Sequence, residues 1–60
     1  MRYTIALKNG EALEFVGDEA KQISKEINQA ILRGYTTADF LYENSSYRVF
    51  MKQIIYVLKG

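Results

Sequence analysis

Apolar and polar positions alternate from the first residues of the chain. Tyr3, Ile5 and Leu7 are separated by Arg2, Thr4, Ala6 and Lys8, the period of a half-buried strand. Leu13 and Phe15 then alternate with Ala12, Glu14 and Val16, and Asn9-Gly10 lies between the two runs, a strong hairpin mark. Two registers compete. A two-residue loop at Asn9-Gly10 would set Ile5 against Glu14 and turn Leu13 and Phe15 to the wrong side. A one-residue slip exchanges the faces of a strand, so that register is costly. A three-residue loop, Lys8-Asn9-Gly10, sets Ile5 against Leu13, Tyr3 against Phe15 and Thr4 against Glu14. The pattern therefore predicts a type I turn with Gly10 left-handed in a G1 bulge.

After Gly17 the period lengthens. Ala20, Ile23, Ile27, Ala30 and Ile31 recur at spacings of three and four, one apolar stripe of a helix. Asp18 is the expected N-cap, and Glu19 favours the positive end of the helix dipole. Arg33 followed by Gly34 is a favourable ending, so the helix is predicted over residues 18–33.

A second alternation follows, with Phe40 and Tyr42 on one side and Tyr47, Val49 and Met51 continuing it. A two-residue loop at Asn44-Ser45 would pair Tyr42 with Tyr47 and Phe40 with Val49, which keeps the apolar faces together. The tail, QIIYVLKG, reads two ways. Continued alternation from Met51 puts Gln53, Ile55 and Val57 inward. A bend or bulge at Lys52-Gln53 brings Ile54, Tyr56 and Leu58 inward. A short helix is a third option, but the β-branched and aromatic residues favour a strand.

These elements predict a single α+β domain over residues 1–60: hairpin, helix, hairpin (ββαββ) with a fifth C-terminal strand, and the helix packed on one face of a mainly antiparallel sheet. The order of elements resembles a β-grasp domain. That resemblance implies strands one and four side by side and parallel at the sheet centre, and the extra IIYVLK segment departs from it.

Composition narrows the function. A chain of 60 residues buries only roughly 60% of the surface its unfolded form exposes. Small domains compensate with disulfides, a metal or self-association. With no cysteine and no histidine, self-association is the remedy left open, and neither cofactor nor metal is expected. Acidic residues Glu11, Glu14, Asp18 and Glu19 argue against a signal peptide, and no apolar run is long enough to span a membrane. A cytoplasmic protein without a membrane partner is expected. The composition, rich in Lys, Asn, Ile and Tyr without Cys or Pro, is similar to that of small single-domain proteins of Gram-positive bacteria and their phages. Some of those block host defence systems by binding, which implies a phage-type inhibitor of a host protein.

Three classes of function follow in order of support. Catalysis has little: Asp18 and Glu19 are adjacent helix positions that do not face each other, and Ser45-Ser46 reads as a turn. Nucleic-acid binding would use Arg2, Arg48 and Lys52 with Phe50 on an open sheet face, but the net charge is only +1, without the basic excess of a general binder. Protein binding has most. Ala6, Ala12, Val16, Leu41 and Phe50 alternate away from the core, joined by one set from the tail. Contiguous exposed apolar surface marks interfaces. The expected partner is a second copy of the chain, an unidentified protein, or both. The candidate interface is Leu41, Phe50, Ile54, Ile55, Tyr56 and Val57, with Lys21, Lys25, Glu26, Gln29 and the hairpin tips at Asn9 and Asn44 as further contact points.

Overall fold

Strand β1 (Arg2–Leu7) and strand β2 (Ala12–Val16) form the first hairpin in the bulged register, with Tyr3 opposite Phe15, Ile5 opposite Leu13 and Thr4 opposite Glu14. The fold is known from a computed structural model that describes all residues from Met1 to Gly60. Gly10 has φ of +89°, in the left-handed region where a Cβ is strained. The turn is closed by the Gly10 amide donating to the Leu7 carbonyl (3.1 Å) and the Leu7 amide donating to the Glu11 carbonyl (2.9 Å). The Asn9 side-chain oxygen accepts from the Glu11 amide at 2.9 Å, the local bond that suits Asn to turns.

Helix α1 (Gly17–Arg33) follows β2 without a linker. Asp18 is not its N-cap. Extended Val16 stands in the cap position and no side chain caps the helix. The chain turns from strand to helix at Gly17, whose φ is +80° and whose amide donates to the Met1 carbonyl at 3.0 Å. Asp18 thus falls inside the first turn, where its charge still favours the helix dipole. At the other end Gly34 is left-handed, its amide donates to the Ile31 carbonyl and the Tyr35 amide to the Ala30 carbonyl. That is the Schellman pairing expected of Arg33-Gly34. Ala20, Ile23, Ile27 and Ala30 are buried as expected, but Ile31 is 55% exposed. Ser24, two turns earlier on the same shoulder of the helix, is buried instead, with its hydroxyl donating to the Lys21 carbonyl at 3.0 Å. Burial along that shoulder ends before the last turn.

Strands β3 (Thr37–Tyr42) and β4 (Ser45–Phe50) form the second hairpin. Its loop is Glu43-Asn44, not Asn44-Ser45. Both loop residues have positive φ, 50° and 65°, the type I′ geometry that matches strand twist. Asn tolerates the left-handed region, and the Glu43 amide is held at 3.0 Å by a carboxylate oxygen of Glu19 on the helix. The pairs are Tyr42 with Ser45, Phe40 with Tyr47 and Ala38 with Val49. The shift is by two residues, so the faces survive, and Ala38, Phe40 and Val49 are buried.

A 3-10 turn at Met51–Gln53 leads into strand β5 (Ile54–Lys59). The antiparallel strands divide into two sheets, β2-β1-β5 and β3-β4. The layout is hairpin, helix, hairpin with a fifth strand. The central parallel pair of a β-grasp is absent, because β5 takes the edge of β1 that strand four would occupy. Arg2 and Gly60 exchange both backbone bonds (2.9 and 2.8 Å), and the Lys8 amide donates to the Gln53 carbonyl at 2.9 Å. The seam between the sheets is aromatic. The Phe15 ring meets Phe40, Tyr42 and Tyr47 edge-on at 5.3, 4.8 and 5.6 Å between centroids. The Tyr42 hydroxyl also accepts from the Val16 amide at 3.2 Å.

Two expectations about stability follow. Gly10→Val places a β-branched residue at a left-handed position and should cost at least ~1 kcal/mol; an unchanged Tm would show that the bulged turn does not constrain the hairpin. Tyr3 is buried and its hydroxyl has no hydrogen-bond partner in the protein. Tyr3→Phe removes an unsatisfied polar group and should leave Tm unchanged or raise it, by about 1 kcal/mol in stability. Burial also raises the Tyr3 pKa above the ordinary tyrosine value. The folded pKa exceeds the unfolded one, so this contribution to stability is complete below the unfolded pKa, about 10, and is lost as pH rises through the folded value. Thermal melts in an alkaline series should show the wild type losing stability faster than Tyr3→Phe. Parallel pH profiles would show that the phenol stays protonated in both states or is wetter than its burial implies.

Candidate functional site

The 3-10 turn resets the alternation at Ile54, and β5 then carries a bulge. Ile5 pairs with Val57 and Ala6 with Tyr56, but Leu7 pairs with Ile54, so Ile55 is the extra residue. Neither reading of the tail is followed throughout. Ile54 and Val57 turn inward and pack against the core. Ile55, Tyr56 and Leu58 turn outward, at 59%, 54% and 57% exposed. Ile54 and Val57 therefore leave the expected interface face, and Leu58 joins it. Leu58 was visible in the sequence as the alternation partner of Tyr56; the bulge that places Ile55 with them was not.

The outer face of the β2-β1-β5 sheet brings together Ala12 and Val16 of β2, Ala6 of β1, and Tyr56 and Leu58 of β5, with Ile55 at the bulge. Its charged residues are Arg2 and Glu14, which form an exposed ion pair at 3.5 Å. Leu41 and Phe50 belong to the other sheet. On its outer side they are separated by the Asp39–Arg48 pair, held by two hydrogen bonds of 3.0 and 3.5 Å. The six expected interface residues are thus not one surface. Ile55 and Tyr56 share a face, Leu41 and Phe50 lie on another, and Ile54 and Val57 face inward.

The three cations of the alternative nucleic-acid face are also dispersed. Arg2 is on β1, Arg48 on β4 and Lys52 in the 3-10 turn. Arg2 and Arg48 each engage a carboxylate, and the bond to Asp39 raises the Arg48 pKa. Lys21, Lys25 and Gln29 are exposed along α1 and Glu26 is half-buried.

Two surface hollows complete the relief. One, of about 370 Å³, lies between α1 and β3 and is lined by Glu19, Glu26, Asp39, Phe40 and Leu41 among others. Two of its carboxylates have partners, Glu19 with the Glu43 amide and Asp39 with Arg48. The second, of about 390 Å³, is lined by Tyr35, Thr36, Phe50, Met51 and Lys52. No group of three or more His, Cys, Asp or Glu residues is placed to hold a metal ion, and no helix is long and apolar enough to cross a membrane. Neither a family model nor a curated protein matches the chain.

The open edges of the sheets differ in chemistry. β2 carries Glu14, and β3 and β4 carry Asp39 and Arg48. β5 reads Ile-Ile-Tyr-Val-Leu before its terminal Lys59. Charges on an edge strand discourage pairing with another chain, and β5 alone lacks one in its interior.

Because Arg2, Arg48 and Lys52 are not gathered, binding of a single-stranded oligonucleotide should be weak at physiological salt. Fluorescence anisotropy over a salt series checks this; tight binding that weakens steeply with salt, the mark of several phosphate contacts, would reinstate a nucleic-acid face.

Proposed function

We propose that this protein acts by binding rather than catalysis, as a homodimer whose target is another protein. The observation that supports the reading is the outward row Ile55, Tyr56 and Leu58 on an edge strand whose one charge is its terminal Lys59. In so small a domain this is a large apolar surface, and apolar surface of this kind is characteristic of interfaces. Its removal from water favours association at about 25 cal/mol per Å² of apolar area, offset by the cost of joining two chains. Two-fold symmetry is the commonest way to close such a contact. The compositional resemblance to small phage proteins points to a host protein as the further target. Nucleic-acid binding is the weaker reading, since two of its three cations already engage carboxylates.

Sedimentation equilibrium at tens of micromolar should give the mass of two chains. The double variant Tyr56→Glu/Leu58→Glu changes only exposed positions, so each chain should keep its fold by far-UV circular dichroism while the mass falls to one chain. A wild-type mass of one chain would refute the homodimer, and a dimeric double variant would move the interface away from β5.

A further inference from the structure

We infer that the hollow between the end of α1 and the end of β4 holds an aromatic side chain flanked by a carboxylate, presented by an acidic segment of the target protein. The inference rests on the protein target proposed above and names the chemistry of the segment.

Backbone bonds set the walls of the hollow. The Tyr35 amide donates to the Ala30 carbonyl at 2.9 Å, which ties Tyr35 to the last turns of the helix. The Met51 amide donates to the Thr36 carbonyl at 2.9 Å, and Thr37 pairs with Phe50. Phe50, Met51 and Lys52 are thereby fixed beside Tyr35 and Thr36. The space between them, about 390 Å³, lies within the range of roughly 300–1,000 Å³ that ligand pockets occupy.

The lining favours a ring. Phe50 and Tyr35 are 50% and 52% exposed, and Met51 is half-buried. Aromatic pairs gain edge-on or offset contacts beyond the area they bury. A methionine thioether adapts to an aromatic neighbour and contacts it favourably.

The charge favours an anion. Lys52 lines the hollow. The Arg33 guanidinium donates to the Tyr35 hydroxyl at 3.5 Å, which puts a second cation at the rim. Neither pairs with a carboxylate; the ion pairs of the chain are Arg2–Glu14 and Arg48–Asp39. Glu11 and Glu14 lie in the first hairpin, Asp18, Glu19 and Glu26 earlier in the helix, and Glu43 at the far turn of the second hairpin. Asp39, two positions along β3 from Thr37, is held by Arg48. An apolar floor beside two cations with no carboxylate of their own complements a ring next to an anion, and charge-assisted hydrogen bonds would orient the carboxylate. An oligonucleotide also offers rings and anions, but it needs a groove of cations along its backbone, and Arg2 and Arg48 are engaged elsewhere.

Amide shifts of the full chain in two-dimensional NMR test the site, with the acetylated and amidated peptide Asp-Trp-Glu as probe. Addition to low millimolar concentration should shift residues 33–36 and 50–52 together. Lys52→Gln, a change at an exposed position, should weaken binding by about fivefold, the upper end for one exposed charge pair. Lys-Trp-Lys and Asp-Gly-Glu, which lack the anion or the ring, should leave those amides in place. No shift with Asp-Trp-Glu, shifts confined to β5, equal binding of either control, or an unaffected Lys52→Gln would each overturn the site. Phenylacetate bound as tightly as Asp-Trp-Glu would assign the hollow to a free acid, and tetrathymidylate bound more tightly would assign it to nucleic acid; either result overturns the acidic segment. Sedimentation separates the site from the homodimer. A monomer that binds Asp-Trp-Glu keeps the site and loses the homodimer, and a dimer that does not bind loses the site alone.

Discussion

No strand of one sheet pairs with a strand of the other, so side chains must hold them together, and Phe15 is where that happens. It projects inward from β2, and its ring meets one partner on each of three positions of the second hairpin: Phe40, Tyr42 and Tyr47. Edge-to-face contacts let one ring serve several neighbours at separations of 4.8–5.6 Å, and such pairs add stability beyond the area they bury. The hydrogen bond from the Val16 amide to the Tyr42 hydroxyl lies at the same seam, so the backbone next to Phe15 is fixed to the same hairpin. The position of Phe15 depends in turn on the first turn. Only the bulged loop brings Phe15 to the face shared with Tyr3 and Ile5; one residue fewer would turn it to solvent.

That dependence explains why the first half of the molecule was legible. Asn9-Gly10 admits two loops, and only one keeps Glu14 off the apolar face, so side-chain parity decides the register. The helix ending was legible for a similar reason, since Arg33-Gly34 offers a cation and a left-handed residue in the order the last turn needs. The start of the helix was not. Asp18 has the chemistry of a cap, but Gly17 lets the strand run directly into the helix, which puts Val16, with no polar side chain, in the cap position. The second turn failed because parity is blind to a shift of two. Asn44-Ser45 and Glu43-Asn44 give the same faces, and the choice depends on left-handed backbone at both loop positions and on a carboxylate twenty-four residues away in sequence.

The candidate surface was legible in kind but not in membership. Alternation implied that part of the tail would face outward. The 3-10 turn and the bulge, each a local departure from alternation, then mixed the two sets, so Ile54 and Val57 went inward while Ile55, Tyr56 and Leu58 went outward. Leu41 and Phe50 had the right parity but belong to a separate sheet, and no one-dimensional pattern reports how strands divide between sheets. The cations followed the same logic. Arg2 and Arg48 are on exposed positions, as alternation requires, yet each has a cross-strand carboxylate beside it.

The placing of β1 between β2 and β5 also bears on how the molecule assembles. Its contacts with β2 close a tight turn, while its contacts with β5 join Tyr3 to Lys59, nearly opposite ends of the chain. Closing a loop of that size carries an entropic cost that the hairpins do not bear, and long-range pairing of this kind slows folding. The two hairpins and the helix can form from neighbouring residues, whereas the middle strand keeps one bare side until the last segment arrives. A β5 strand from a neighbouring chain would offer β1 the same backbone partners as its own does, so protein concentration would govern the competition between the two.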